Sequence, residues 1–117
     1  MKIIISGLHL KKFPELEVYV AKRVQKLGRY FKKIVKLEVR LIWEKSHRNE
    51  LHSSACEIIA DIPGRNLEIV ERDRTMDKAI DKAVERMKRL LVKTKEKSIT
   101  LKHKEGISRK KVDRAAL

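Results

Sequence analysis

The sequence predicts an α+β domain of order β-α-β-β-β-α, a four-stranded sheet with two helices packed on one face. Three observations predict it. Two long segments carry apolar residues at three-to-four spacing, shorter segments alternate or run apolar at strand length, and a Pro-Gly pair punctuates the last two strands. A chain of 117 residues fits one domain, large enough to bury a core without disulfides or metals.

The elements follow in order. Ile3, Ile4 and Ile5, closed by Ser6-Gly7, read as a short buried strand. Pro14 suits the first turn of a helix, where its missing N–H costs little, and Glu15 and Glu17 favour that positive end. Leu16, Val20, Val24, Leu27 and Phe31 then form one apolar stripe. At Val35 the period drops to two: Val35, Leu37, Val39, Leu41 and Trp43 alternate with Lys36, Glu38, Arg40, Ile42 and Glu44. Lys45 to His52 is a polar loop, and Ser53 to Ile62 a third strand. Pro63-Gly64-Arg65-Asn66 turns into a fourth strand, Leu67 to Arg72. Asp73 or Thr75 caps a second long helix, with Asp77 and Asp81 in its early turns and Met76, Ile80, Ala83, Met87 and Leu91 as its stripe. A parallel crossover through the first helix and two antiparallel links close the sheet. Past Lys97 the pattern fades. The expected division is a domain of residues 1–97 and a basic, flexible tail of residues 98–117.

The formal net charge is +14, and it is unevenly spread. Residues 1–33 hold nine Lys/Arg against two acids, residues 34–77 seven against nine, and residues 78–117 fourteen against five. On the first helix Lys22, Lys26, Arg29 and Lys33 follow the spacing i, i+4, i+7, i+11. Lys82, Arg86, Arg89 and Lys93 repeat that spacing on the second, Lys97 extends the row, and Arg23 and Lys88 flank. At roughly 100° per residue each row lies broadly opposite its apolar stripe, so two aligned basic rows are expected with a shallow groove between them. A solvated helix face usually mixes signs, because like charges at i, i+4 repel. The first helix has no acid after Glu17, and the second only Glu85 and Glu96 beyond its first turns. The rows therefore read as a polyanion-binding surface.

Other chemistries fare worse. Exposed aromatics for base stacking are scarce, so phosphate recognition across a folded RNA fits better than sequence readout. His47, Glu50 and His52 share a loop and are the only candidate acid-base set, too weak a pattern for a ribonuclease. No enzyme, metal or cofactor signature is present. Cys56 is the lone cysteine, which excludes an internal disulfide and fits a buried small residue in a reducing cytosol. No run approaches membrane-spanning length, both apolar stripes are needed to cover the sheet, and the opening residues are too short for a signal peptide. A cytoplasmic protein without a membrane or small-molecule partner is expected.

The stretch Thr75-Met76-Asp77-Lys78-Ala79-Ile80-Asp81, continuing through Arg86 and Arg89-Leu90-Leu91 to Lys93 and Lys97, resembles the second helix of the bacterial ribosome-associated inhibitor and hibernation-promoting factor family. Arg23, Lys26-Leu27 and Arg29-Tyr30 look like its first helix, the Pro63-Gly64 turn sits where the family has its last hairpin, and the resemblance covers roughly residues 1–97. It implies a fold like that of double-stranded-RNA-binding domains. The implied function is non-enzymatic: occupying the decoding channel of the small ribosomal subunit, where messenger and transfer RNA would sit, and inhibiting translation by steric exclusion. It places the protein in the stress response and stationary phase. By resemblance Arg23, Lys26, Arg29, Arg86, Arg89, Lys93 and Lys97 contact ribosomal RNA phosphates; Lys22, Lys33 and Lys82 join them on spacing alone. The alternative is a general double-stranded RNA or nucleoid-binding protein. Asp77 stands where the family usually has Tyr, Leu90 replaces a common polar residue, and the basic tail differs from the acidic tail of some short members.

Overall fold

The structure, a computed structural model, describes the backbone of residues 1–8, 10–44 and 54–116 and the side chains of these as far as residue 97. The elements are β1 (Lys2–Gly7), α1 (Pro14–Gln25), β2 (Lys36–Trp43), β3 (Ser54–Ile62), β4 (Arg65–Asp73) and α2 (Met76–Ala116). The sheet order is β1-β2-β3-β4, with β1 parallel to β2 and the other two pairs antiparallel. This is the β-α-β-β-β-α arrangement the patterns predict.

Register decides which side chains meet the helices. Ile3 pairs with Leu37, Leu37 with Ala60 and Ala60 with Leu67, while Ile5, Val39, Ile58 and Ile69 form the next row. Because side chains alternate along a strand, these rows face one way. They enclose a core with Val20 and Val24 of α1, Leu27 just beyond it, and Met76, Ala79, Ile80, Ala83, Met87 and Leu91 of α2. Burial of this apolar surface at roughly 25 cal/mol per Å² is what holds the helices on the sheet. Ile3 and Ile5 pack against the core without being buried, since β1 is an edge strand. Val35 departs from the expected alternation: it is 58% exposed and precedes β2, its N–H donating to the Asp61 carbonyl and its carbonyl accepting from Lys2 N–H.

Two glycines sit where the backbone favours them. A Cβ on Gly7 would lie 3.0 Å from the Leu41 carbonyl oxygen and 3.2 Å from Trp43, so any larger residue would push β2 back by a few tenths of an ångström. Gly64 has φ +90°, the left-handed position of the β3–β4 turn. Pro63 before it fixes a negative φ, which excludes the primed hairpin turns and leaves the type II pattern.

The helices differ from expectation at their ends. α1 stops at Gln25 and tightens into a 3-10 turn over Lys26–Arg29. Gly28 lies in that turn, and glycine is a poor helix former. The 100° spacing therefore fails there, and Lys33 lies beyond the helix. At the other end α2 does not stop near Lys97 but continues to Ala116, 41 residues in all. No proline interrupts it, and Lys, Arg, Leu, Ala and Glu favour the helix. At about 1.5 Å per residue it is roughly 60 Å long, which accounts for the longest molecular extent of 69 Å.

Candidate nucleic-acid interface

Of the ten cations singled out by spacing and resemblance, all are exposed and on the helix side of the sheet or at its margin. Lys22 and Arg23 stand on α1, Lys26 and Arg29 in the 3-10 turn, and Lys33 beyond it. Lys82, Arg86, Arg89, Lys93 and Lys97 stand on α2.

The rows do not face each other across a groove. α2 turns Asp81 and Lys88 toward α1: the Tyr19 hydroxyl donates to Asp81 Oδ1 at 2.5 Å, Arg23 lies 3.5 Å from the same oxygen, and Lys88 sits over the Tyr30 ring at 4.9 Å. Lys82 and Arg86 lie toward β4. Lys82 Nζ is 2.7 Å from Asp73 Oδ2, and Arg86 Nη1 is 2.9 Å from Glu71 Oε1. The strip between the rows thus carries an acid, and the α2 row lies toward the sheet edge.

The sequence-level view that these rows lack partners is corrected for α2. Asp73, Glu71 and Glu85 pair with Lys82, Arg86 and Arg89, and Asp81 with Arg23. The β4 acids come from strand positions nine and fifteen residues before their partners, outside the i, i+4 window in which helix pairs are sought. Their signal was the period-two register, which continues the helix-facing set Leu67, Ile69 into Glu71 and Asp73. Among the described residues Lys22, Lys26, Arg29, Lys33, Lys93 and Lys97 form no ion pair. An open depression of about 440 Å³ is lined by Lys22, Gln25, Lys26 and Arg29, with no acid. A second, of about 600 Å³, is lined by Glu71, Asp81, Lys82, Glu85, Arg86 and Arg89.

The local electrostatics follow from these contacts. The Lys82 ammonium, then the Arg74 N–H, hold the Asp73 carboxyl below its ordinary value, and Asp73 in turn raises Lys82. The bond to Asp81, reinforced by burial, raises the Tyr19 hydroxyl. At the start of α2 the Thr75 carbonyl accepts from Ala79 N–H, which makes Thr75 the cap; Asp73 instead accepts from Arg74 N–H. The Thr75 hydroxyl and the Lys78 N–H hold Asp77 below its ordinary value, so Asp77 is a helix-start residue here. Burial pushes the Cys56 thiol up to about 12, that of a core residue and not a nucleophile. On the opposite, uncovered face of the sheet Arg40 pairs with Glu38 and Glu57, so that face is charge-compensated. The His47, Glu50 and His52 set lies outside the described residues. Among the described residues no three side chains are grouped to hold a metal, and no helix is long and apolar enough to cross a membrane.

The model of the family described as sigma 54 modulation protein / S30EA ribosomal protein matches residues 3–99. The solved structure of the Protein Y N-terminal domain from Thermus thermophilus is similar at 26% identity and a TM-score of 0.65, over 80% of this chain and 99% of that one. A ribosomal subunit interface protein from Coxiella burnetii shares the fold at 19% identity and a TM-score of 0.67, over 82% of this chain and 99% of that one. No relative is found among curated protein sequences. The matched span takes in every element of the sheet, α1 and the packed part of α2. The chain belongs to the sigma 54 modulation protein / S30EA ribosomal protein family, that of the ribosome hibernation factors its helices resemble.

Proposed function

We propose that this protein binds the small ribosomal subunit through ribosomal RNA, occupies the decoding channel where messenger and transfer RNA sit, and inhibits translation by steric exclusion. It does so without catalysis, in the cytoplasm, when growth stops under stress or in stationary phase. The observation that carries the reading is the acid-free depression of Lys22, Lys26 and Arg29 on the helix side of a sheet whose other face is charge-compensated. Like charges held this close destabilise the free protein slightly, and phosphates relieve that repulsion while releasing counterions. Family membership, and neighbours whose names are those of a ribosomal subunit interface protein and of Protein Y, direct the phosphate surface to the ribosome.

Sedimentation with purified small subunits tests this. Co-migration is expected that weakens steeply with salt and competes with messenger and transfer RNA. The variant K22E/K26E, whose cations have no internal partner, is expected to lose co-migration and keep its fold. Undiminished binding by this variant, or binding indifferent to messenger and transfer RNA, overturns the reading. Equal affinity for bare RNA duplexes would instead identify a general double-stranded RNA binder.

A further inference from the structure

We propose that Glu71 and Asp73 are specificity-determining residues: they hold Arg86 and Lys82 in internal ion pairs that yield to an extended, many-phosphate RNA surface and not to isolated phosphates. The proposal rests on the reading of the helix side as a phosphate-binding surface.

Four helix-facing positions of β4 do two jobs. Leu67 and Ile69 are buried in the core, whereas Glu71 and Asp73 lie where the strand runs under the start of α2. There Asp73 meets Lys82 at 2.7 Å and Glu71 meets Arg86 at 2.9 Å, Arg86 also donating to the Val70 carbonyl at 3.3 Å. The partners differ in exposure. The Asp73 and Glu71 side chains are 17% and 28% exposed on a paired strand, against 55% and 57% for Lys82 and Arg86 on the helix surface. The carboxylates are the enclosed partners of these pairs and the cations the exposed ones. A phosphate approaching either cation therefore meets a carboxylate seated beside it.

The groove they share is balanced, with Glu71, Asp81 and Glu85 beside Lys82, Arg86 and Arg89. The α1 depression has no such counterweight. A short or exposed RNA site therefore engages the α1 cations and gains little from the first turns of α2. An RNA surface that covers both rows at once sets many phosphates around Lys82 and Arg86, and their summed attraction outweighs the one carboxylate that each cation gives up. The two acids penalise partial contact and leave full contact favourable, which separates an RNA surface that spans both rows from a duplex too short to reach more than one.

The test is E71Q/D73N, in which both amides keep the side-chain size and D73N keeps an oxygen for the Arg74 N–H, now 2.6 Å from Asp73 Oδ1. Binding is measured to purified small subunits and to a bare RNA duplex too short to span both rows, over a salt series. Duplex affinity is expected to rise on the order of 3- to 30-fold, from the typical worth of two exposed ion pairs, while small-subunit affinity changes by less than about threefold. Duplex binding that is unchanged or weaker, or a rise of the same size on both RNAs, overturns the proposal. Circular dichroism reports the fold; if the double variant does not fold, E71Q and D73N singly carry the same comparison with a smaller rise. Failure of the unaltered protein to bind small subunits would remove the ribosomal reading, while the duplex arm would still decide the role of the acids.

Discussion

The hydroxyl of Tyr19 on α1 donates to Oδ1 of Asp81 on α2 at 2.5 Å, a side-chain bond between residues 62 apart in sequence. Arg23 joins it, 3.5 Å from the same carboxylate and 4.9 Å above the Tyr19 ring. The two helices are thereby linked above the core by a donor, a shared acceptor and a stacked cation. A net hydrogen bond contributes about 0.5–1.5 kcal/mol, and the half-exposed setting favours the lower end. Y19F is expected to lower unfolding free energy by about 0.5–1 kcal/mol in urea titrations, and a double-mutant cycle with D81N to show coupling of that order. The sign with pH follows from the raised hydroxyl. Stability from this bond is complete below the ordinary value of 10.0 and fades as pH rises through the elevated one.

This linkage shows what the sequence carries and what it omits. Stripes such as Val20-Val24-Leu27 and Ile80-Ala83-Met87-Leu91, and the alternation Leu37-Val39-Leu41, report burial directly, and they place the four strands, the two helices and the helix and β2 parts of the core; the β3 and β4 part, Ile58, Ala60, Leu67 and Ile69, emerges only from sheet register. Helix ends were less legible. The stop of α1 depends on a weak glycine effect at Gly28, and the run of α2 beyond Lys97 on propensity with no apolar stripe to mark it. The cations were legible as residues but not as pairs, because Asp73–Lys82 and Glu71–Arg86 join a strand to a helix. Their spacing becomes meaningful only once sheet register is known.

The β3–β4 turn offers a clean backbone test. At Gly64, φ +90°, an added Cβ meets nothing within 4 Å, so any cost of substitution is conformational and not steric packing. G64A is expected to destabilise by about 1 kcal/mol, with G64N less affected because Asn tolerates left-handed backbone and G64V more because of its branched Cβ. Thermal melts of the three variants give the order. Equal melting temperatures would show that the turn rearranges freely.

Cys56 is fully buried on β3 among Leu41, Ile58 and the α2 side chains, and its thiol is raised to about 12. The neutral thiol is therefore the folded form through pH 10, and thiolate chemistry needs unfolding. Iodoacetamide at pH 8 is expected to leave Cys56 unmodified in native buffer and to label it completely in denaturant. Above the ordinary value of 9.0 the unfolded chain ionises first, so this residue lowers stability as pH rises toward 12. Rapid native labelling would show that β3 opens.

The paired and unpaired cations should part company when stability and binding are measured together. Lys26 and Arg29 border an acid-free depression, whereas Lys82 and Arg86 lie against the carboxylates of Asp73 and Glu71. Neutralising the first set removes repulsion from the free protein and phosphate contacts from the complex. K26Q/R29Q is therefore expected to keep or slightly raise the melting temperature while flattening the salt dependence of small-subunit binding. The log–log slope should fall by somewhat under about two units, at roughly 0.7–0.9 per phosphate contact. Neutralising the second set leaves Glu71 and Asp73 without their cations, beside the phosphate path. K82Q/R86Q is expected to lower the melting temperature and to weaken binding as well, since the stranded carboxylates then repel the RNA. Salt-dependent sedimentation and melts on the same preparations distinguish the two sets. If both variants shift melting temperature alike, the cations are equivalent and the division of the surface into a free half and a compensated half is wrong.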